Sequence, residues 1–171
     1  MPFGSNLPPD RFTQLAAALR QRPQAVARIR GSAAHPAIVG LARFYQTPFG
    51  ALVAAEVSGL PVPGEPCKSP IFAFHIHSGG ACAGNERDPF ADAQGHYDPG
   101  GCPHPYHAGD LPPLFGNNGF AFGVALTDRF TVDEVVGRTV IVHAMPDDFT
   151  TQPAGNAGQK IACGAIRAWG R

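Results

Sequence analysis

The sequence predicts an all-β protein built from short strands and long loops, with one short helix near its N-terminus. Its 171 residues include 21 glycines and 18 prolines, and these two residue types predict many turns. Only 15% of the residues are charged, against about 25% in most soluble domains. The apolar fraction of 44% excludes a disordered chain. A single β domain with an extension fits this length.

The first 24 residues differ from the rest and predict a helical extension. Asp10 can cap a helix from Arg11 to Gln21, and Pro23 would end that helix. Strand-like patterns begin at Ala25. We therefore divide the chain into an extension, residues 1–24, and a main domain, residues 25–171.

Seven segments of the main domain have strand character because β-branched and aromatic residues run between turn signals. The turn residues TPFG between the second and third segments predict a β-hairpin. Residues 78–118 read as one long loop, and Thr131 to Val136 as a single helical turn. The strand segments are AVARIRG, AIVGLARFYQ, ALVAAEVSGL, IFAFHIH, FAFGVAL, RTVIVHA and KIACGAIRAW.

The charges are distributed unevenly although they sum to zero. Residues 1–43 hold six arginines and one aspartate. Aromatic residues do not alternate with these arginines, so we expect a solvated arm and no nucleic-acid partner. Residues 86–148 hold ten carboxylates and three arginines, an excess that bound divalent cations would offset. No apolar run approaches the roughly 18 residues of a membrane helix, so we expect no membrane partner.

The histidines form the most informative pattern. His75 and His77 lie two residues apart on a predicted strand and therefore point to the same face. Taken alone, this pair is also typical of polar residues on the exposed side of an edge strand. Further candidate ligands follow in the long loop and on a later strand, and four nitrogen or oxygen ligands satisfy tetrahedral zinc. These candidates are His96, His104, His107, Asp110 and His143.

Five motifs in this order resemble the copper/zinc superoxide dismutase family: FHIH, GHYDP, HAGDLPPL, VIVHAMPDD and GNAGQKIACG. The resemblance runs from about Ala25 to the C-terminus, and Cys82 follows the HIH motif by five residues, as in bacterial members. It implies a Greek-key β-sandwich or flattened barrel. It also implies an oxidoreductase that converts superoxide to dioxygen and hydrogen peroxide by Cu(II)/Cu(I) cycling, with a structural zinc.

The resemblance also implies the role of each site residue. His96 would bridge the two metals, store a proton and donate it to the departing peroxide. Asp147 would hydrogen-bond one histidine from each site and orient both. The implied copper ligands are His75, His77, His96 and His143, and the implied zinc ligands are His96, His104, His107 and Asp110.

Two departures from the family pattern keep alternatives open. The link from His104 to His107 is short, as is the segment from His143 to Cys163. A copper-only site with a vestigial zinc loop is therefore one alternative, although the retained Asp110 argues against it. A non-catalytic copper-binding or copper-storing module on the same fold is another. A structural domain without metal would be expected to lose ligands, and none is missing.

The four cysteines permit three pairings. The resemblance implies a Cys82–Cys163 disulfide, which leaves Cys67 and Cys102. A bridge between these two could pin the short zinc loop; the alternatives are two free thiols or Cys102 as a metal ligand. Disulfides favour an oxidising compartment, whereas the start of the sequence has no secretory signal, which favours the cytoplasm unless a leader was removed.

Three further residues carry separate expectations. Lys160 occupies the position where most relatives place an arginine that guides superoxide to copper, and the alternative is an ordinary surface lysine. His35 precedes a proline in a predicted turn, and we expect it to be solvent-exposed and not a ligand. Trp169 is equally consistent with core packing and with a subunit contact, so the sequence leaves monomer and homodimer open.

Overall fold

The computed structural model describes residues 10–65 and 70–170, and within them eight antiparallel strands close into a barrel. Around the barrel the strands follow the order β1-β2-β3-β6-β5-β4-β7-β8. Because β4, β5 and β6 are consecutive and β3 lies beside β6, the barrel contains the predicted Greek key. The strands are β1 Ala25–Gly31, β2 Val39–Thr47, β3 Gly50–Ser58, β4 Ile71–His77, β5 Asp110–Asn117, β6 Phe120–Thr127, β7 Thr139–His143 and β8 Lys160–Ala168.

Among the described residues, two α-helices accompany the barrel, α1 (Arg11–Ala18) and α2 (Val132–Val135), together with a single 3-10 turn at Ala91–Ala93. The Asp10 side chain accepts a hydrogen bond from the amide of Phe12 at 3.1 Å and caps α1, as predicted. The helix is docked on the barrel, since Leu15 and Leu19 pack against Tyr45. In the described part of the chain, neither helix has the length and apolar character needed to cross a bilayer. Residues 1–9 lie outside the described residues, and the division after residue 24 stays a prediction.

The strand predictions were wrong in one place, because residues 110–117 form β5 and not loop. Pro112 and Pro113 mimic a loop signal, since proline cannot donate to a strand ladder. In the barrel, β5 pairs with β4 through a register shift and with β6 only at Gly116 and Asn117. The prolines therefore lie where the ladder to β6 is absent, and their missing amide hydrogens cost little.

The alternation of β4 determines where the histidines lie. Phe74 and Ile76 point into the barrel and belong to the main core. His75 and His77 alternate with them and point outward, yet both are almost fully buried. The long loops that follow β4 and β7 cover this outer surface. The histidines thus lie between a rigid barrel wall and two loops.

A second small cluster fixes the loop after β4 against the barrel. Phe90 and Ala93 of that loop pack on Ile141 and Cys163 of the barrel wall. The disulfide Cys82–Cys163 joins the same loop to β8. Apolar packing and a covalent bond therefore hold the loop that carries His96.

Candidate metal centre

The outer surface of β4 and β7 and the loop between β4 and β5 carry two groups of side chains. Each group offers four possible ligand atoms within 4.8 Å of one another. His96 belongs to both groups, and its side chain is only 3% exposed. The first group is His75, His77, His96 and His143, and the second is His96, His104, His107 and Asp110. The structure thus brings together every ligand that the sequence predicts for the two metals.

The ring nitrogens of the first group are oriented by hydrogen bonds on their other sides. His77 donates from Nδ1 to the carbonyl of Gln94 at 2.7 Å, which directs its Nε2 inward. His143 is held in the same way by the carbonyl of Gly158, at 3.3 Å. The Nε2 atoms of His77 and His143 then approach to 3.2 Å. Two such nitrogens facing each other suit a shared cation between them.

Asp147 connects the two groups. One carboxylate oxygen lies 2.8 Å from Nε2 of His75, and the other lies 2.8 Å from Nε2 of His104. Because Nε2 is occupied in both rings, each directs Nδ1 to the ligand side. Burial opposes ionisation of Asp147, but hydrogen bonds from His75, the Phe149 amide and His104 hold the pKa of its carboxyl well below the ordinary value.

His96 lies between the groups and uses its two nitrogens differently. Its Nδ1 is 2.7 Å from an oxygen of Asp110 and 3.4 Å from Nδ1 of His107, on the side of the second group. Its Nε2 is buried and has no hydrogen-bond partner among the described residues. An imidazole in this position can serve one group with each nitrogen.

The donor set fits copper and zinc. Three buried ring nitrogens lack a hydrogen-bond partner in the described part of the chain, namely Nδ1 of His75, Nε2 of His96 and Nδ1 of His104. A buried nitrogen without a partner is costly, and a metal ion would satisfy each of them. Neutral imidazole suits both copper and zinc, and a carboxylate such as Asp110 suits zinc.

His75, His77 and His143 of the first group have lowered pKa values, which favours the neutral imidazole that a metal ligand requires. Burial is the main reason that the pKa of His143 is lowered to about 3, and the nearby His75 adds to it. Burial also lowers the pKa of His77 well below its ordinary value, with His143 contributing. The pKa of His75 falls for the same reason, although Asp147 partly offsets the effect.

An open cleft of about 1260 Å³ reaches this centre from solvent. His77, His96, His107 and His143 all border it, so both groups are accessible from outside. His35 also lines the cleft and is half-buried, with Nδ1 3.3 Å from the hydroxyl of Ser32. The prediction that His35 is solvent-exposed was therefore wrong, because the β1–β2 turn folds over the cleft; it is not part of either ligand group.

Lys160 lies where the resemblance places a guiding cation, but its ammonium group has partners. It is opposite His143 in the β7–β8 ladder. Its Nζ is 2.7 Å from a carboxylate oxygen of Asp88 and 3.1 Å from the carbonyl of Phe90. Partial burial raises the pKa of the Asp88 carboxyl, but the hydrogen bond from Lys160 and its positive charge contribute to holding that pKa below its ordinary value. Arg87 borders the same cleft and forms no ion pair among the described residues.

The Cys82–Cys163 disulfide implied by the resemblance is present. Cys102 is exposed, forms no disulfide with the other described cysteines and belongs to neither ligand group. Cys67 lies outside the described residues, so its predicted pairing with Cys102 stays a prediction.

Sequence reasoning missed the residues that hold the short zinc link, His104 to His107, in place. The Gln152 side chain accepts a hydrogen bond from the His104 amide at 2.9 Å and donates one to the His104 carbonyl at 2.7 Å. On the other side, Arg129 donates to the carbonyls of Pro105 at 3.1 Å and His107 at 3.2 Å. Neither residue belongs to a metal-ligand pattern, so spacing alone gave no signal for them.

Gly155 is a third missed residue. Its φ is +65°, and a Cβ there would collide with the Asp147 carboxylate and would lie 2.6 Å from Nε2 of His104. Only glycine therefore fits beside the carboxylate that connects the two groups. The glycines of GNAGQKIACG were the available signal.

The barrel is a closed Greek key, and its outer wall and covering loop present two four-ligand groups that share one histidine. This arrangement defines a two-metal β-barrel protein. The family model described as "Copper/zinc superoxide dismutase (SODC)" matches residues 38–166. The chain belongs to the copper/zinc superoxide dismutase family. It is an oxidoreductase that converts superoxide to dioxygen and hydrogen peroxide, with copper and zinc as its metals.

Individual relatives agree with this membership. "Superoxide dismutase [Cu-Zn] 2" of Aquifex aeolicus is 32% identical over 145 residues, covering 76% of this chain and 80% of the relative. "Superoxide dismutase [Cu-Zn]" of Deinococcus radiodurans is 35% identical over 149 residues, covering 77% and 78%. The solved Cu/Zn superoxide dismutase from Brucella abortus superposes with a TM-score of 0.69 at 25% identity, covering 82% of this chain and 98% of that one.

Proposed function

We propose that this chain dismutates superoxide at a copper site formed by the first group, next to a zinc site formed by the second. The observation that carries this proposal is that His96 is shared between two complete four-ligand groups bordering one open cleft. The proposed copper ligands are His75, His77, His96 and His143, and the proposed zinc ligands are His96, His104, His107 and Asp110.

Hydrogen bonds select the ligand atom of four rings. With Nδ1 of His77 and His143 donating to carbonyls, Nε2 is left for copper. With Nε2 of His75 and His104 bound to Asp147, Nδ1 of each is left for its metal. Asp147 therefore acts as a positioning residue for both sites.

The reaction joins two superoxide anions and two protons to give one dioxygen and one hydrogen peroxide. Bound copper supplies the one-electron redox chemistry by cycling between Cu(II) and Cu(I), while bound zinc supplies a fixed positive charge. This chain must supply a route for the anion and a proton for the peroxide. The cleft supplies the route, since it reaches His77 and His143 directly.

His96 is the proposed proton donor. Its Nε2 is a buried ring nitrogen without a hydrogen-bond partner among the described residues, and its ring borders the cleft. On the opposite side of the ring, Nδ1 lies 2.7 Å from Asp110. Bound zinc would hold both of these groups, so the ring keeps its orientation whether Nε2 would serve copper or carry a proton. A proton on Nε2 is thus held where the departing peroxide needs it.

Lys160 and Arg87 are the proposed guides for the anion. The Lys160 ammonium lies close to the His143 strand, but Asp88 neutralises much of its charge. Arg87 adds a cation at the cleft border. Together they would favour entry of a small anion into an otherwise acidic region.

Metal analysis combined with superoxide consumption tests the proposal. The reconstituted chain is expected to hold one copper and one zinc and to consume superoxide catalytically. A chain that binds copper but shows no turnover would favour the copper-storage alternative. A chain that holds copper but less than about a tenth of an equivalent of zinc after zinc-replete reconstitution would favour the copper-only alternative.

A further inference from the structure

The backbone on both sides of His96 is attached to β4 and to the residue that follows it. The amide of Tyr97, the residue after His96, donates to the carbonyl of Ile76 on β4 at 2.8 Å. The hydroxyl of Ser78, which follows β4, donates to the carbonyl of His96 at 3.1 Å. The Ser78 amide donates to the carbonyl of Gly95 at 2.9 Å. The orientation of the shared histidine therefore depends on how firmly Ser78 and Tyr97 are held.

Arg138 contacts both of these residues. It lies between α2 and β7 and is half-buried. Its Nη1 donates a hydrogen bond to the carbonyl of Ser78 at 3.1 Å. Its guanidinium carbon lies over the ring of Tyr97, 3.9 Å from the ring centre. One side chain thus holds the two residues that in turn hold the backbone of His96.

The position of Arg138 is itself fixed by hydrogen bonds. Its Nε donates to the carbonyl of Glu134 in α2 at 2.9 Å. Its backbone carbonyl accepts from the amide of Ile166 on β8 at 2.8 Å, and its amide donates to the carbonyl of Val135 at 3.1 Å. The guanidinium therefore extends from the hydrogen-bonded wall of the barrel to the loop that carries His96.

An arginine suits these contacts because its guanidinium is planar. A planar cation can lie flat on an aromatic ring while N–H groups at its edge donate to carbonyl oxygens, whereas a lysine ammonium has no such plane. Tyr97 is only 5% exposed and belongs to the main core, so its ring cannot easily move away. A cation–π contact is also stronger where water is displaced from it.

We propose that Arg138 is a positioning residue for both metal sites, because it fixes the backbone on either side of the ligand that they share. The inference rests on the proposed function, in which His96 serves copper and zinc together. Arg138 is in neither ligand group and does not line the cleft, so it acts through His96. Its loss should loosen both metals, whereas the loss of Gln152, which holds the His104 backbone, should loosen zinc alone.

Amide hydrogen exchange of the full chain tests the positioning directly. Arg138→Ala is expected to speed exchange of the Tyr97 amide about tenfold, because the segment around His96 opens more often. Amides of the β2–β3 ladder are the internal reference and should exchange as in the parent chain. The proposal is overturned if the Tyr97 amide is unaffected, or if all amides speed up alike. This readout does not require a bound metal, so it decides the role of Arg138 even if the proposed function fails.

Metal release from the reconstituted full chain tests the consequence for the two sites. Arg138→Ala is expected to raise the rates at which copper and zinc pass to a chelator, each about tenfold. The Cu(II) EPR spectrum of this variant should also differ from that of the parent chain, because it reports the arrangement of the nitrogen ligands. Gln152→Ala should raise zinc release and leave copper release unchanged. If Arg138→Ala speeds the release of one metal only, or of neither, the role toward the shared ligand is wrong.

Further variants separate the contacts. Tyr97→Phe keeps the ring under the guanidinium and should match the parent chain, whereas Tyr97→Leu removes the ring and should speed the release of both metals. Ser78→Ala removes the hydrogen bond to the His96 carbonyl and should act in the same direction. Arg28→Ala, at an exposed arginine on β1, is the control for a lost positive charge and should match the parent chain. Should Arg138→Ala fail to fold, release of both metals at the parent rates from Tyr97→Leu and Ser78→Ala overturns the proposal.

Discussion

At the residue scale, His96 is the side chain on which both metal groups depend. We predict that His96→Ala weakens the binding of copper and of zinc, each by about 100-fold or more. His77→Ala and His107→Ala are the matched variants, because each belongs to one group only. The first should lose copper and keep zinc, and the second the reverse. Elemental analysis after dialysis measures all three, and full zinc retention in His96→Ala would contradict the shared ligand.

The charge at Lys160 gives a second prediction at this scale. Lys160→Glu would place a carboxylate beside Asp88, so we expect superoxide consumption to slow severalfold or more, with a flattened or reversed dependence on salt. Lys160→Arg keeps the charge and should retain most of the rate. Copper content should be unchanged in both. Full activity of the Lys160→Glu variant at low ionic strength would show that this lysine does not guide the anion.

Residue types and spacing were enough to predict which side chains would gather, but not what would orient them. His75 and His77 could be placed on one face because strand geometry is local. The hydrogen bonds of Gln152 and Arg129 connect side chains to backbone groups 48 and 22 to 24 positions away. No local pattern encodes such contacts, so they become visible only in three dimensions.

At the scale of elements, the short zinc link is held from two sides. We predict that Gln152→Ala increases zinc loss to a chelator about tenfold, because the His104 backbone loses both of its hydrogen bonds to that side chain. Zinc dissociation is followed directly, without reference to activity. Gln21→Ala, at an exposed glutamine after α1, is the control. Equal zinc loss from both variants would show that Gln152 does not position the link.

The Cys82–Cys163 disulfide constrains a much longer segment of the chain. Cys82 and Cys163 are 81 positions apart, and a loop of that size stabilises the native state by about 4 kcal/mol in the chain-entropy account. Replacing both by serine is expected to lower the free energy of unfolding of the metal-free chain by about that amount. Cys102→Ser, at an exposed cysteine outside this disulfide, is the control and should have little effect. Denaturant titration measures the loss, and mass spectrometry of unreduced peptides showing Cys82 joined to another cysteine would contradict the pairing.

One strand, β5, was not predicted, because a local sequence rule is overridden there by a long-range contact. Seven strands and the turn at α2 were recognised from periodicity and turn residues, since both are local signals. β5 was missed because Pro112 and Pro113 are typical of loops. Its pairing with β4 is a long-range contact, which periodicity cannot show.

At the scale of the whole molecule, the order of strands around the barrel was available only from the resemblance. Composition predicted short strands, but the placement of β3 beside β6 and of β4 beside β7 joins distant segments. The acidic excess in residues 86–148 had a simple interpretation as compensation for divalent cations. Most of these carboxylates lie outside the two ligand groups, and Asp110 is the carboxylate that belongs to one of them.

The buried histidines make the metal-free molecule sensitive to acid. The native pKa of His143 is about 3 and that of His77 is also well lowered, mainly by burial, whereas both rise to about 6.5 in the unfolded chain. Below about pH 6.5 the unfolded chain therefore binds protons that the native chain does not. The contribution of these two histidines to the free energy of unfolding is therefore fully present above about pH 6.5. It is lost as the pH falls toward their native pKa values.

We predict that the free energy of unfolding of the metal-free chain falls by about 1.4 kcal/mol per pH unit for each such histidine, between about pH 6 and pH 4. Denaturant titrations at several pH values in this window measure the slope. His143→Gln removes one of the titrating groups, so its slope should be smaller by about one proton. If the variant and the parent chain show the same slope, His143 is not held neutral by burial in the native state. Because copper and zinc require neutral imidazoles, the same neutrality would keep the metal-free centre ready to bind at neutral pH.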